Sequence, residues 1–158
     1  MEFDLKAFEK ASFKAREASV PVPDLAHFFK DLEEGQTPVW LVRGLEGEEL
    51  ARVNESQERS ANLVAVTEAL MTGQPDQLKD TVNQLLGHTG EVPSDLARRQ
   101  AILVAGSVAP KVSQQVAVKL AKAHPIEFYS LTTEIIRLTG LGSVPGKPMR
   151  SSRSQTSK

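Results

Sequence analysis

With 158 residues, 40% hydrophobic and 25% charged, the chain has the length of one domain and enough apolar content for its own core. The absence of cysteine excludes a disulfide scaffold, thiolate zinc sites, iron–sulfur clusters and a cysteine nucleophile. Nineteen Lys and Arg against twenty Asp and Glu give a formal charge of −1, so no whole-domain footprint for nucleic acid or anionic lipid exists.

No apolar run approaches the ~20 residues of a membrane span. The opening MEFDLKAFEK is amphipathic with acids early, unlike a signal peptide. A soluble, intracellular protein is expected.

Residues 1–44 hold most of the Phe and the only Trp. Ser12 to Val20 reads as extended, and Pro21 and Pro23 disfavour helix at Val20 and Val22. Asp24 is placed to cap a short helix through Leu25, Phe28, Phe29 and Leu32. Pro38 to Arg43 is the best strand, β-branched and aromatic, with Gly35 before it and Gly44 after. A two-stranded ribbon resting on helices follows, since two strands alone are marginal.

From residue 45 onward the pattern is helical. Glu46, Glu48 and Glu49 supply acid where a helix macrodipole favours it, and that helix runs to Met71 before Thr72-Gly73. Its second half (Leu63, Val64, Val66, Leu70, Met71) is apolar nearly all round, which predicts the centre of the core there. Leu78, Val82, Leu85 and Leu86 mark a next helix, opened by Pro75 and closed by Gly87. Pro93-Ser94-Asp95 opens another, carrying Leu96, Ile102, Leu103 and Val104, with Gly106 and Pro110 bracketing the break after it. Val112, Val116 and Leu120 define a fourth helix, ended by Pro125. Phe128, Leu131, Ile135 and Leu138 define a fifth, ended by Gly140.

The expected fold is therefore mainly α: a compact bundle of about five short-to-medium helices with a small N-terminal β-ribbon. Residues 1–142 form a single domain, divided into a strand-containing region (1–44) and a helical body (45–142). Residues 143–158 form a disordered basic tail, with Lys147, Arg150, Arg153 and Lys158 and no acid, leaving −5 on the body.

Chemistry is sparse. His27, His88 and His124 lack partners at metal-ligand spacing. His88 sits in turn chemistry, and His124 stands at a helix end where the dipole suits an imidazolium. The stretch Gly140 to Gly146 misses both the dinucleotide and the Walker spacing, and no nucleophile elbow exists. Adjacent acids such as Glu33-Glu34 do not face each other on a helix. No catalytic, cofactor or metal site is expected, and no enzyme. Candidate partner-binding residues are Trp40, Phe128, Tyr129, Ile135 and Leu138. Trp40 reads either as a core anchor or as an interface aromatic, and the 128–138 stripe either as core or as docking groove.

Several stretches in order resemble the tail assembly chaperones of long-tailed bacteriophages. They are VPVPDL (20–25), PVWLVRGLEGEELARVNE (38–55), VPSDLARR (92–99), HPIEFY (124–129) and IIRLTGLG (135–142). The resemblance spans about residues 12–142. One departure is Leu45-Glu46-Gly47, where the pattern has a capping Thr or Ser at 46. The resemblance implies a non-enzymatic protein of the host cytoplasm that binds the long tape measure protein and keeps it soluble and extended. Tail tube subunits are recruited around that complex, and the chaperone is absent from the mature virion. Many copies on one partner imply self-association along it. Such genes often yield a longer product by −1 ribosomal frameshifting, and Pro145-Gly146-Lys147 is the candidate junction. The competing reading is a small helical nucleic-acid-binding or regulatory protein that uses the basic tail, although four charges without aromatics bind weakly.

Overall fold

The structure, a computed structural model, describes the backbone of residues 1–71 and 94–146, with the side chains of all these except 60–71. In chain order the elements are α1 (Leu5–Lys10), β1 (Phe13–Lys14), β2 (Glu17–Pro21), a 3₁₀ helix (Pro23–Phe28), β3 (Val39–Arg43) and α2 (Gly47–Met71). After residue 93 come α3 (Ser94–Gly106), β4 (Ser107–Ala109), α4 (Gln114–Ala123), α5 (Pro125–Gly140) and β5 (Val144–Pro145). The described chain is mainly helical, with small sheets.

Helix α5 is the element on which the others pack. Pro125 at its first turn supplies a preset φ and lacks a donor that would be orphaned there anyway. Phe128, Leu131, Thr132, Ile135 and Leu138 are buried along one stripe. Thr132 donates its hydroxyl proton to the carbonyl of Phe128 (3.0 Å) and accepts from Arg99 of α3 (3.0 Å), so a buried hydroxyl is fully used. One side of α5 meets the sheet, and the other meets α3 and α4.

That sheet has the order β2-β3-β4, all antiparallel. Val20 pairs with Trp40 and Ala18 with Val42, so these four share the face turned to the core. Where β3 ends, Gly44 lies against the backbone of Leu138 and Thr139; an added Cβ there would sit 3.0 Å from the Leu138 carbonyl carbon. Leu45 then donates its N–H to Thr139 Oγ1 (2.8 Å), which pins the strand-to-helix corner on the end of α5. Gly106 makes the equivalent approach from α3, where a Cβ would come within 2.6 Å of Ile135.

Helix α2 starts without a hydroxyl cap. Glu49 accepts instead from the backbone N–H of Glu46 (2.9 Å), the returning half of a capping box. The same carboxylate takes both terminal nitrogens of Arg43, at 2.9 and 2.6 Å. This fork ties the end of β3 to the first turn of α2.

Several expectations change. The ribbon has a third strand, β4, in the stretch read as a break between Gly106 and Pro110. Asp24 caps nothing through its side chain: the segment is a 3₁₀ helix that opens at Val22 and ends at Phe28. Residues 1–44 also contain α1, capped by Asp4, which accepts from Ala7 N–H (3.0 Å). The tail read as disordered from 143 begins with a strand. Phe13 pairs with Pro145 and Lys14 with Val144, and Gly146 donates to the Ser12 carbonyl (2.6 Å). The side chains read as the core centre in α2 (63–71), the expected helix around Leu78 to Leu86, and residues 147–158 lie outside the described residues.

Two outcomes follow for stability. The hydrogen bonds from Arg43 hold the Glu49 carboxyl below the ordinary carboxylate range, against partial burial that works the other way. A group with a depressed folded pKa contributes stability that is complete above its unfolded pKa and disappears as pH falls through the folded one. Glu49→Gln should therefore melt lower than the wild type at neutral pH, and the gap should narrow as pH falls below the ordinary Glu value of about 4.3. A gap that stays constant across that range would show that the pair contributes nothing through ionisation.

Truncation after Gly146 should leave residues 1–14 as protease-resistant as in the full chain. Truncation after Gly142 removes β5, and limited proteolysis should then cut residues 1–14 faster. Equal digestion rates would show that the β1–β5 pairing does not hold the N-terminus.

Candidate partner-docking groove

Trp40 is buried in β3, and its indole N–H donates to Ser107 Oγ of β4 at 3.2 Å. A buried indole needs such a partner. With the nitrogen satisfied inside, one part of the ring is left to floor a groove of about 600 Å³ on the outer side. One wall is the 3₁₀ helix and its exit: Leu25, Phe28, Phe29 and Lys30. The facing wall is α4: Val116, Lys119, Leu120, Ala123 and, after it, His124. Val39, Ala109 and Pro110 complete the lining.

The local reasons for this shape are legible. A 3₁₀ turn places residues three apart on one line, so Leu25 and Phe28 both face the groove. Leu25 is buried at its base, whereas Phe28 stands 69% exposed. The Phe28 ring meets His124 of the other wall edge-on, with centroids 6.4 Å apart. The backbone of Val22 donates to the Pro38 carbonyl (2.9 Å), which fixes the 3₁₀ helix against β3. Helix α4 buries Ala117 and Leu120, and this rotates Val116 outward to 44% exposure over the groove.

The lining is apolar except for Lys30 on one wall, Lys119 on the other, and His124. Chemically, this lining can accommodate the apolar side chains of a short amphipathic segment, and its lysines favour acids beside them. Among the described residues no three His, Cys, Asp or Glu gather in a metal-like group. No described helix is long and apolar enough to cross a membrane.

The candidate residues separate by burial. Phe128, Ile135 and Leu138 are buried, as the core alternative for that stripe has them: the sheet, α3 and α4 pack on α5. Trp40 is a core anchor that also touches the groove. Tyr129 is 45% exposed, with the Arg99 guanidinium 4.8 Å from its ring centroid, and it stands outside the groove. Pro145 lies in β5, Gly146 follows it, and Lys147 is beyond the described residues. Sequence reading missed Phe28, Lys30, Val39, Val116 and Lys119. The signal available was the adjacent pair Phe28-Phe29, which a 3.6-residue period assigned to one face.

No family model matches the chain, and no curated protein or solved structure matches it either.

Proposed function

We propose that this protein is a non-enzymatic assembly chaperone of long-tailed phages, which binds the tape measure protein and keeps it soluble in the host cytoplasm. The observation that carries this reading is the apolar groove with a lysine on each wall; the ordered resemblance from about residue 12 to 142 supports it. A long helical partner presents apolar side chains at i, i+3 and i+4, the pattern that helix-in-groove recognition reads. One groove covers only a few such side chains. Many copies along one partner would cover a long stripe. Tail tube subunits would then be recruited to the covered partner.

The experiment is co-expression with the very long helical open reading frame expected downstream, followed by pull-down. The wild type should capture the tape measure product, and Val116→Glu should reduce capture at least tenfold with an unchanged melt, since Val116 is a half-exposed wall residue. No capture by the wild type, or equal capture by both, would overturn the reading.

A longer product made by −1 frameshifting at Pro145-Gly146-Lys147 belongs to the same proposal. Both products would share the chain through β5, so the β1–β5 pairing would survive and an added domain would leave from its end. Codons reading CCG GGA AAG or CCG GGA AAA contain the slippery heptamer. Their presence should be matched by a peptide crossing into the −1 frame in mass spectra of infected cells; codons that break the heptamer remove this site.

A further inference from the structure

Acid is missing from one long stretch of this chain. Residues 96–126, between Asp95 and Glu127, contain none, and they hold Arg98, Arg99, Lys111, Lys119 and Lys122. The stretch is a basic segment within an acidic body. The fold itself uses the two arginines. Arg98 reaches Asn54 at 3.4 Å, and Arg99 reaches Asp95 and the Thr132 hydroxyl at 3.2 and 3.0 Å. The three lysines are exposed, on α4 and just before it.

Helix α4 sets these lysines against the groove. Val116, Lys119, Leu120 and Ala123 line its wall. At about 100° per residue, Lys119 falls roughly 60° to one side of Val116, and Lys122 roughly 60° further round the same side. Lys119 and Lys122 therefore border the apolar wall along one edge. Across the slot stands Lys30, at the exit of the 3₁₀ helix. Asp24 and Asp31 belong to that segment but do not line the slot, and no acid does.

A segment entering the slot thus meets apolar side chains below it and a lysine on either side. Lysine stems can follow the apolar walls while their ammonium groups stay at the rim. Ion pairs at such a rim are individually weak and are screened by salt. Apolar contact then supplies most of the affinity, and the lysines supply the choice between segments. A nucleic acid would use the lysines and leave the apolar lining without a role. The chemistry favours a peptide.

We infer that the groove selects helical segments whose apolar stripe is bordered by Asp or Glu on both sides. Lys30 and Lys119 set that preference, and Lys122 extends the border on α4. The identity of the partner as the tape measure product rests on the function proposed above. The selection rule rests on the groove alone. A helix with the same apolar stripe and lysines beside it meets like charge on both walls and is rejected.

The test uses the full-length chain and the emission of Trp40, its single Trp, which lines the slot. Two Trp-free helical peptides carry the same leucines at i, i+3, i+4 and i+7. One has Glu on both sides of that stripe, and the other has Lys. At low salt the Glu peptide should bind about tenfold more tightly or better, and about 1 M salt should remove most of the difference. Lys30→Glu/Lys119→Glu should reverse the order with an unchanged melt, since both lysines are exposed. Lys6→Glu/Lys10→Glu, an equal change of charge on α1, should keep the order of the wild type. No Trp40 response to either peptide, the result expected if a second copy or another segment of this chain fills the slot, would overturn the inference. So would equal affinities at low salt, or an order that Lys30→Glu/Lys119→Glu leaves unchanged. Tighter binding of a random-sequence DNA duplex than of the Glu peptide, lost in that variant, would assign the lysines to nucleic acid and overturn it too. Capture of the tape measure product without discrimination between the peptides would overturn this inference and leave the proposed function standing. Discrimination without capture would do the reverse.

Discussion

The packing of α5 is the constraint from which the rest of the described structure follows. Its buried stripe has the sheet on one side and two helices on the other, so every neighbour must fit at close range. Gly44 and Gly106 are where that fit is tightest, one against the helix backbone and one against Ile135. Burial of Phe128, Leu131 and Ile135 contributes roughly 1.5–3 kcal/mol each. Polar atoms on this helix are accommodated only because they find partners: Thr132 with Phe128 and Arg99, Thr139 with Ile135 and Leu45. The buried stripe of this helix is fully used by the fold, while Ile126 and Tyr129 on its other face stay exposed.

What the sequence discloses depends on how local the physics is. Strand β3 and helices α3 and α5 were legible because each has its own periodicity and its own Pro or Gly boundaries. The start of α2 was legible for its acids, although the capping role fell to Glu49 rather than to residue 46. Strand β4 was not. Three residues between Gly106 and Pro110 carry no period, and they become a strand only because β3 offers an edge and Trp40 needs Ser107. The 3₁₀ helix was misread because Leu25 and Phe28, three residues apart, satisfy the spacing of either helix type. Val116 looked like core because Val at i, i+4 from Val112 and Leu120 matches a buried stripe. Ala117 took that place and turned Val116 outward.

The groove illustrates a more general limit. Its walls come from residues 25–30 and 116–124, and its floor from residue 40, so no contiguous motif encodes it. Each contributor is an apolar residue of ordinary kind, and each taken alone reads as core. The one feature that separates groove from core is incomplete burial, a property of assembled elements. The lysines are informative only in the same way. Lys30 and Lys119 are unremarkable in sequence, and they become a paired rim once α4 stands opposite the 3₁₀ helix.

A slot of about 600 Å³ accepts a few side chains, so a single docking event there is weak. Lys30 and Lys119 act as a filter as much as an attraction, since a helix with lysines beside its apolar stripe would meet like charge on both walls. The segment that suits the groove best is therefore one whose apolar stripe is bordered by Asp or Glu.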